Sequence, residues 1–172
     1  MLIGADRSIT IQTRRGWPIP NVQEEEVLPY HREHAEEFIH QTLGLNPTTL
    51  PCRRAATATY NCHGMTFACR RTSIIDVAAV KKIMKDDGYR KVTASRALPG
   101  DVVLYFESED VLAHSGIVVG VDQLPGGTAR LLTVLSKWGL AGEYVHALKE
   151  CPYPRVTKIW IYRDASDDST ID

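Results

Sequence analysis

The chain has 172 residues, of which 44% are hydrophobic, and its 20 basic and 21 acidic side chains leave a net charge of −1. That length accommodates one domain whose core needs no disulfide staples. With charge balanced and no basic stripe interleaved with aromatics, neither nucleic acid nor an anionic membrane is an implied partner, which leaves a small or peptidic one.

The segment Met1–Gly16 holds no apolar run of signal-peptide length, so the expectation is a protein made in the cytoplasm; export by a machine that ignores amino-terminal signals stays open. Alternation over Leu2–Thr13 predicts a short edge strand, and Trp17-Pro18-Ile19-Pro20 predicts an extended wrapping arm, because each proline restricts the residue before it. Glu24–Leu43 is charged, with Val27, Tyr30, His34, Phe38 and Leu43 recurring at helical spacing, and predicts a helix with a thin apolar stripe. His31, His34 and Glu37 share a face of that helix, but histidines on a solvated helix are common and no third ligand is forced. No metal or other cofactor is therefore expected. Asn46-Pro47-Thr48 and Leu50-Pro51 mark a loop. Residues 1–50 thus form an arm and helix, residues 51–163 a core continuous with them in one domain, and residues 164–172 an acidic tail expected to be disordered.

The core opens on Asn61-Cys62-His63-Gly64-Met65-Thr66-Phe67-Ala68-Cys69. Asn61 suits a helix cap, which puts Cys62 among the unpaired N–H groups of a first turn, where the local field is expected to lower the thiol pKa. Cys69, two turns on, is expected in the core and about 10 Å from Cys62, too far for a disulfide. Cys52, Cys62, Cys69 and Cys151 fall in no paired zinc or redox spacing. A second helix is predicted from the period of Ile74, Ile75, Val77, Ala78, Val80, Ile83 and Met84, with Ser73 as cap, Gly88 as terminator and Tyr89 packing back.

After Pro99-Gly100-Asp101 the period becomes extended. Val102–Phe106 predicts a strand buried on both faces, and His114–Val121 turns at Pro125-Gly126-Gly127 to return as Ala129–Trp138. Without a bulge, that hairpin sets His114 opposite Ser136 and Lys137. Thr157–Arg163 predicts a last strand. The fold class expected is α+β, a nucleophile-bearing helix packed on an antiparallel sheet of about five strands.

A thiol at a helix start and a histidine opening a nearby strand suit thiol chemistry: the imidazole of His114 takes the Cys62 proton and later protonates the leaving group. Ser136, whose hydroxyl can accept from the ring N–H, is the candidate orienting group, with His146 as its rival. The Cys62 N–H, with the Asn61 amide or a group near Tyr60, would form the oxyanion pocket. His63 reads as a supporting or substrate-facing residue, and Trp17 and Trp138 as core or cleft wall.

Asn61-Cys62-His63-Gly64-Met65-Thr66-Phe67, Pro99-Gly100-Asp101-Val102-Val103 and His114-Ser115-Gly116-Ile117-Val118-Val119-Gly120 resemble, in order and spacing, the three blocks of the NlpC-like and CHAP-like branch of papain-fold cysteine peptidases and amidases. The resemblance covers residues 60–138 and implies a papain-like fold, with Cys62 as nucleophile, His114 as base and Ser136 as orienting residue. The family commonly has aspartate and serine around the cysteine, where this chain has Asn61 and His63. Its third residue is usually histidine, asparagine, glutamine or glutamate. The implied activity is hydrolysis of an amide or isopeptide bond through a thioester, with a peptide or muropeptide substrate and an inhibitor or immunity protein as a candidate partner. Two alternatives stand beside it: acyl transfer or glutamine deamidation through the same thioester, and an inactive module that binds peptides.

Overall fold

Seven antiparallel strands in one sheet organise the computed structural model, which describes residues 7–26, 30, 33, 34, 37, 40, 41, 50–126, 129–151 and 153–165. The strands are β1 (Cys52–Arg54), β2 (Arg90–Val92), β3 (Val102–Phe106), β4 (Leu112–Gln123), β5 (Arg130–Lys137), β6 (Glu143–Ala147) and β7 (Lys158–Arg163), in the spatial order β1-β6-β5-β4-β3-β7-β2. The fold is therefore α+β as expected, but five strands is a correction. β1, β2 and β6 were not anticipated, because three-residue runs such as Cys52-Arg53-Arg54 are too short to show alternation. β6 hides its pattern differently, by burying Glu143 and His146 where apolar residues would be looked for.

β3 is buried along its whole length because it is sandwiched in every direction. β4 and β7 flank it. Val102, Leu104 and Phe106 meet Ile74, Val80 and Ile83 on one face, and Val103 and Tyr105 meet Val118, Val134 and Ile161 on the other. The first face is covered by two helices, α1 (Cys62–Phe67) and α2 (Val77–Asp86).

α1 lasts six residues, and Cys69 lies beyond its end, exposed, rather than in the core as expected. The Ala68 and Arg70 N–H groups both donate to the Gly64 carbonyl, and Cys69 and Arg70 adopt φ of 50° and 64°. That left-handed reversal costs non-glycine residues about 1–2 kcal/mol each, and it delivers the Arg70 guanidinium to buried Glu143. α2 begins later than expected. Asp76, not Ser73, caps it by accepting from the Ala78 N–H, while Ser73 bridges to Val22 and Ile75 is exposed. Its end is as expected: Gly88 takes φ +77°, and Tyr89 packs edge-on against Phe67.

The expected edge strand near the amino terminus is instead an arm that folds on itself through bridges Arg7↔Gln23 and Gln12↔Pro18. It wraps α2: Ile19 enters the core, Thr13 Oγ1 donates to Asp86, and Lys82 sits over the Trp17 ring. Arg14 pairs with Asp164, so the chain is still anchored where the disordered tail was expected to begin; residues 166–172 lie outside the described ones. Of the predicted 24–43 helix, Tyr30, Glu33, His34, Glu37, His40 and Gln41 are described and helical; Val27, His31, Phe38 and Leu43 lie outside the described residues.

In the β4–β5 hairpin Gln123 pairs with Arg130, further along than a turn centred on Pro125 would set, and a bulge between Val118 and Gly120 shifts the register back by one residue, so that Gly116 lies opposite Ser136. The expected pairing of His114 with Ser136 and Lys137 is thus displaced by two residues along β4.

Gly64 lets α1 rest directly on the following loop, since a Cβ there would lie 1.8 Å from the Thr72 carbonyl oxygen. The Gly64→Ala variant is expected to lose about 1–3 kcal/mol, as overpacked sites do, measured as a lowered urea midpoint at unchanged slope.

Candidate active site

The turn that carries Cys62 is built by Asn61. Its Oδ1 accepts from the Gly64 N–H at 2.8 Å, which caps α1, and from the Ile74 N–H at 3.1 Å; its Nδ2 donates to the Ile74 carbonyl at 2.8 Å. The cap is the expected one. The Asn61 amide, however, is committed to clamping the 72–74 loop and not to an oxyanion pocket.

Cys62 is 8% exposed. Burial pushes its thiol pKa up, outweighing the lowering effect of the neighbouring polar groups of Ser115 and of the His63 main chain. The expected lowering is not found, because a six-residue helix supplies a weak field and the sulfur has lost its water. The polar groups of Ser115 and His63 beside the sulfur nevertheless act to favour its ionised form.

His114 is wholly buried, its ring between Tyr105 at 5.5 Å and Tyr153 at 4.6 Å. Burial first, then the nearby His146 and His63, hold its pKa well below the ordinary value. Among the described residues neither of its ring nitrogens has a hydrogen-bond partner. Ser115 turns its hydroxyl to α1, where it meets His63 Nδ1 at 2.9 Å and Thr66 Oγ1 at 3.0 Å, and His114, one residue earlier, turns to the opposite face against Tyr105. The sulfur thus lies beside Ser115 while the imidazole of its neighbour turns the other way, the two are not hydrogen-bonded to each other, and burial holds both neutral at pH 7.

Ser136 is placed differently from expectation. Its hydroxyl is 2.8 Å from His146 Nε2 and accepts from the Trp138 indole N–H at 2.9 Å; it does not bond to His114. With His146 Nδ1 2.9 Å from the Ala147 carbonyl, the consistent arrangement has Nδ1–H donating there and Ser136 donating to Nε2. Ser136 and the rival His146 are therefore partners of each other. The hairpin register is the reason: Gln123 pairs with Arg130, further along than a turn centred on Pro125 would set, so Ser136 comes to lie opposite Gly116, two residues from the histidine it was expected to face.

His63, buried beside Cys62, has its pKa lowered to about 4 by desolvation and serves as a neutral brace on Ser115. Trp138 is core, stacked on Tyr144 at 4.5 Å, whereas Trp17 is exposed. Two contributors were missed. Ser115 lay inside the His114-Ser115-Gly116 block without any sign that it would border the sulfur. Tyr153 comes from the 148–157 connection, which has no periodic pattern at all. Four surface grooves of 250 to 580 Å³ are lined by other residues; Cys62 and His114 border none of these four.

Beneath Cys62 lies a charged cluster. Arg70 forks onto Glu143 at 2.6 and 3.0 Å, and Tyr60 donates its hydroxyl to the same carboxylate at 2.7 Å. Among the described residues no three His, Cys, Asp or Glu side chains group to hold a metal ion, and no helix is long and apolar enough to cross a membrane. His31 of the His31-His34-Glu37 face lies outside the described residues. Comparison with protein-family models, curated proteins and solved structures finds no match to this chain.

Burial acts to raise the Glu143 pKa, but the hydrogen bonds from Arg70 and Tyr60 outweigh it and the value falls below the ordinary one. Glu143→Gln is expected to cost about 3 kcal/mol at pH 7, because it leaves Arg70 without its buried partner. A depressed folded pKa stabilises above the unfolded value of about 4.3 and loses that contribution as the pH falls through the folded value. Urea midpoints of wild type and variant should therefore converge on going from pH 7 to pH 3. Tyr153→Ala uncovers one face of the His114 ring, so its titration midpoint, followed by imidazole NMR, should rise toward about 6.5.

Proposed function

We propose that the protein is a cysteine-dependent hydrolase of amide or isopeptide bonds, arranged as in the NlpC-like and CHAP-like papain-fold enzymes, with Cys62 as nucleophile and His114 as base. The observation that carries this reading is the seating of the Cys62 sulfur beside Ser115, the neighbour of a fully buried His114 whose two nitrogens have no hydrogen-bond partner among the described residues. An unpartnered buried polar group costs about 1–3 kcal/mol, so a purely structural role gives no reason for a histidine at this position. A base awaiting its proton does.

In the resting form the thiol and the imidazole are both neutral. Attack requires them to close into a hydrogen bond, whereupon the sulfur proton passes to an imidazole nitrogen as the S–C bond forms to the substrate carbonyl. The imidazolium then protonates the leaving amine, and water, deprotonated by the same ring, cleaves the thioester and regenerates the thiol. The Cys62 N–H at the start of α1 is the candidate oxyanion donor. Ser136, bonded to His146 and Trp138, contributes by holding the β5–β6 pair that frames the site. Acyl transfer or glutamine deamidation would proceed through the same thioester, which an amine resolves in the first case and water in the second, ammonia having left when the glutamine thioester formed.

Incubation with muropeptides and, separately, with glutamine-containing peptides, read by mass spectrometry and ammonia release, tests the reaction class. Cys62→Ala is expected to abolish turnover with an unchanged melting profile, and His114→Ala to lower turnover by about 10²-fold or more. A Cys62→Ala protein that still turns over removes the thiol mechanism. Peptide binding without turnover by the wild type selects the inactive module.

A further inference from the structure

Lys137, the last residue of β5, is fully buried, and the mechanism above makes no use of it. Its Nζ donates to the carbonyls of Gly139 at 2.7 Å and Ala141 at 2.6 Å, and lies 5.4 Å from the centre of the Tyr60 ring. Those acceptors are neutral. Glu143, its cross-strand partner on β6, is already engaged by Arg70 and Tyr60 and reaches Lys137 only through space. A buried ammonium without a direct counter-ion is costly, and a neutral amide could brace the same two carbonyls.

The side chain that such a charge would serve lies on the same face of the sheet. Gly116 pairs with Ser136, so the next rung sets Ser115 beside Lys137, and Ser115 is the residue whose polar groups border the Cys62 sulfur. Tyr60, under the ammonium, lies two residues before Cys62. We propose that Lys137 is a positioning residue for the Cys62 reaction, a fixed cation that favours the ionised sulfur over the neutral thiol. It rests on the reading of Cys62 as nucleophile.

Burial lowers the Lys137 pKa to about 8, and negative charge on Glu143, Cys62, Glu26 and Glu24 raises it in turn, which keeps the group mainly protonated at pH 7. The other charged groups that border the cluster are Arg70 beyond α1 and Arg54 on β1, both acting on Glu143. On the side of the sulfur stand His63, Cys151 and Tyr153.

The test is the pH profile of Cys62 alkylation by iodoacetamide in the full chain, resolved by peptide mapping, with exposed Cys69 as the internal standard. Removing a cation near a thiolate shifts its midpoint by about one pH unit or more. Lys137→Met is therefore expected to move the Cys62 profile upward and to slow labelling at pH 7, where the lysine is mainly charged, about tenfold, while Lys137→Arg labels at least as fast as wild type and Cys69 does not change. Lys137→Gln, which retains a donor for the two carbonyls, makes the same comparison should the methionine variant fail to fold. A folded Met or Gln variant with the wild-type midpoint overturns the proposal, and so does a change in plateau rate alone, which is what a purely structural brace would give. Cys62→Ala turnover reports separately on the nucleophile, so a Cys62-dependent reaction with a Lys137-independent midpoint rejects the lysine's role alone.

Discussion

One asparagine side chain fixes the geometry on which the candidate site depends. Asn61 Oδ1 accepts from two backbone N–H groups, one in the first turn of α1 and one in the 72–74 loop, and its Nδ2 returns a hydrogen bond to that loop. A carboxylate could accept both N–H groups but could not donate to the Ile74 carbonyl. The clamp draws α1 so close to Thr72 that only glycine fits at position 64. It also sets the azimuth of the helix start, which decides that Cys62 faces Ser115 and not solvent.

Electrostatically the site is a set of buried groups held neutral beside a set held charged. Cys62, His63, His114 and His146 have all been shifted toward their uncharged forms, chiefly by desolvation. Glu143 and Arg70 stay charged because each satisfies the other at hydrogen-bond distance. Lys137 stands between the two groups, charged but bonded only to carbonyls. A thiol in such a place is protected from solution oxidants by its burial. The polar groups of Ser115 and His63 beside it act to favour its ionised form.

The β5–β6 pair has a double role. Its outer layer, Ser136, Trp138, Tyr144 and His146, forms a stacked and hydrogen-bonded wall, and its inner layer, Lys137 and Glu143, forms the charged floor under α1. Strand alternation separates the layers, since neighbouring residues point to opposite faces. The same alternation separates His114 from Ser115, so the imidazole and the sulfur approach the end of β4 from different sides.

Local patterns in the chain determined the α+β class, the Asn61 cap and Cys62 helix start, the two-sided burial of β3, the β4–β5 hairpin and the Gly88 stop, because each rests on contacts between residues close in sequence. They could not reveal the short strands β1 and β2, whose pairing partners are remote, or β6, which buries Glu143 and His146. Nor could they reveal the β4–β5 register, set by the turn and by the bulge at Val119, which places Gly116 and not His114 opposite Ser136. The exposure of Cys69, the later start of α2, the Tyr153 cover and the burial that raises the Cys62 pKa were decided by tertiary packing. Desolvation and register depend on which distant segments come to lie over a residue, and no local period encodes that.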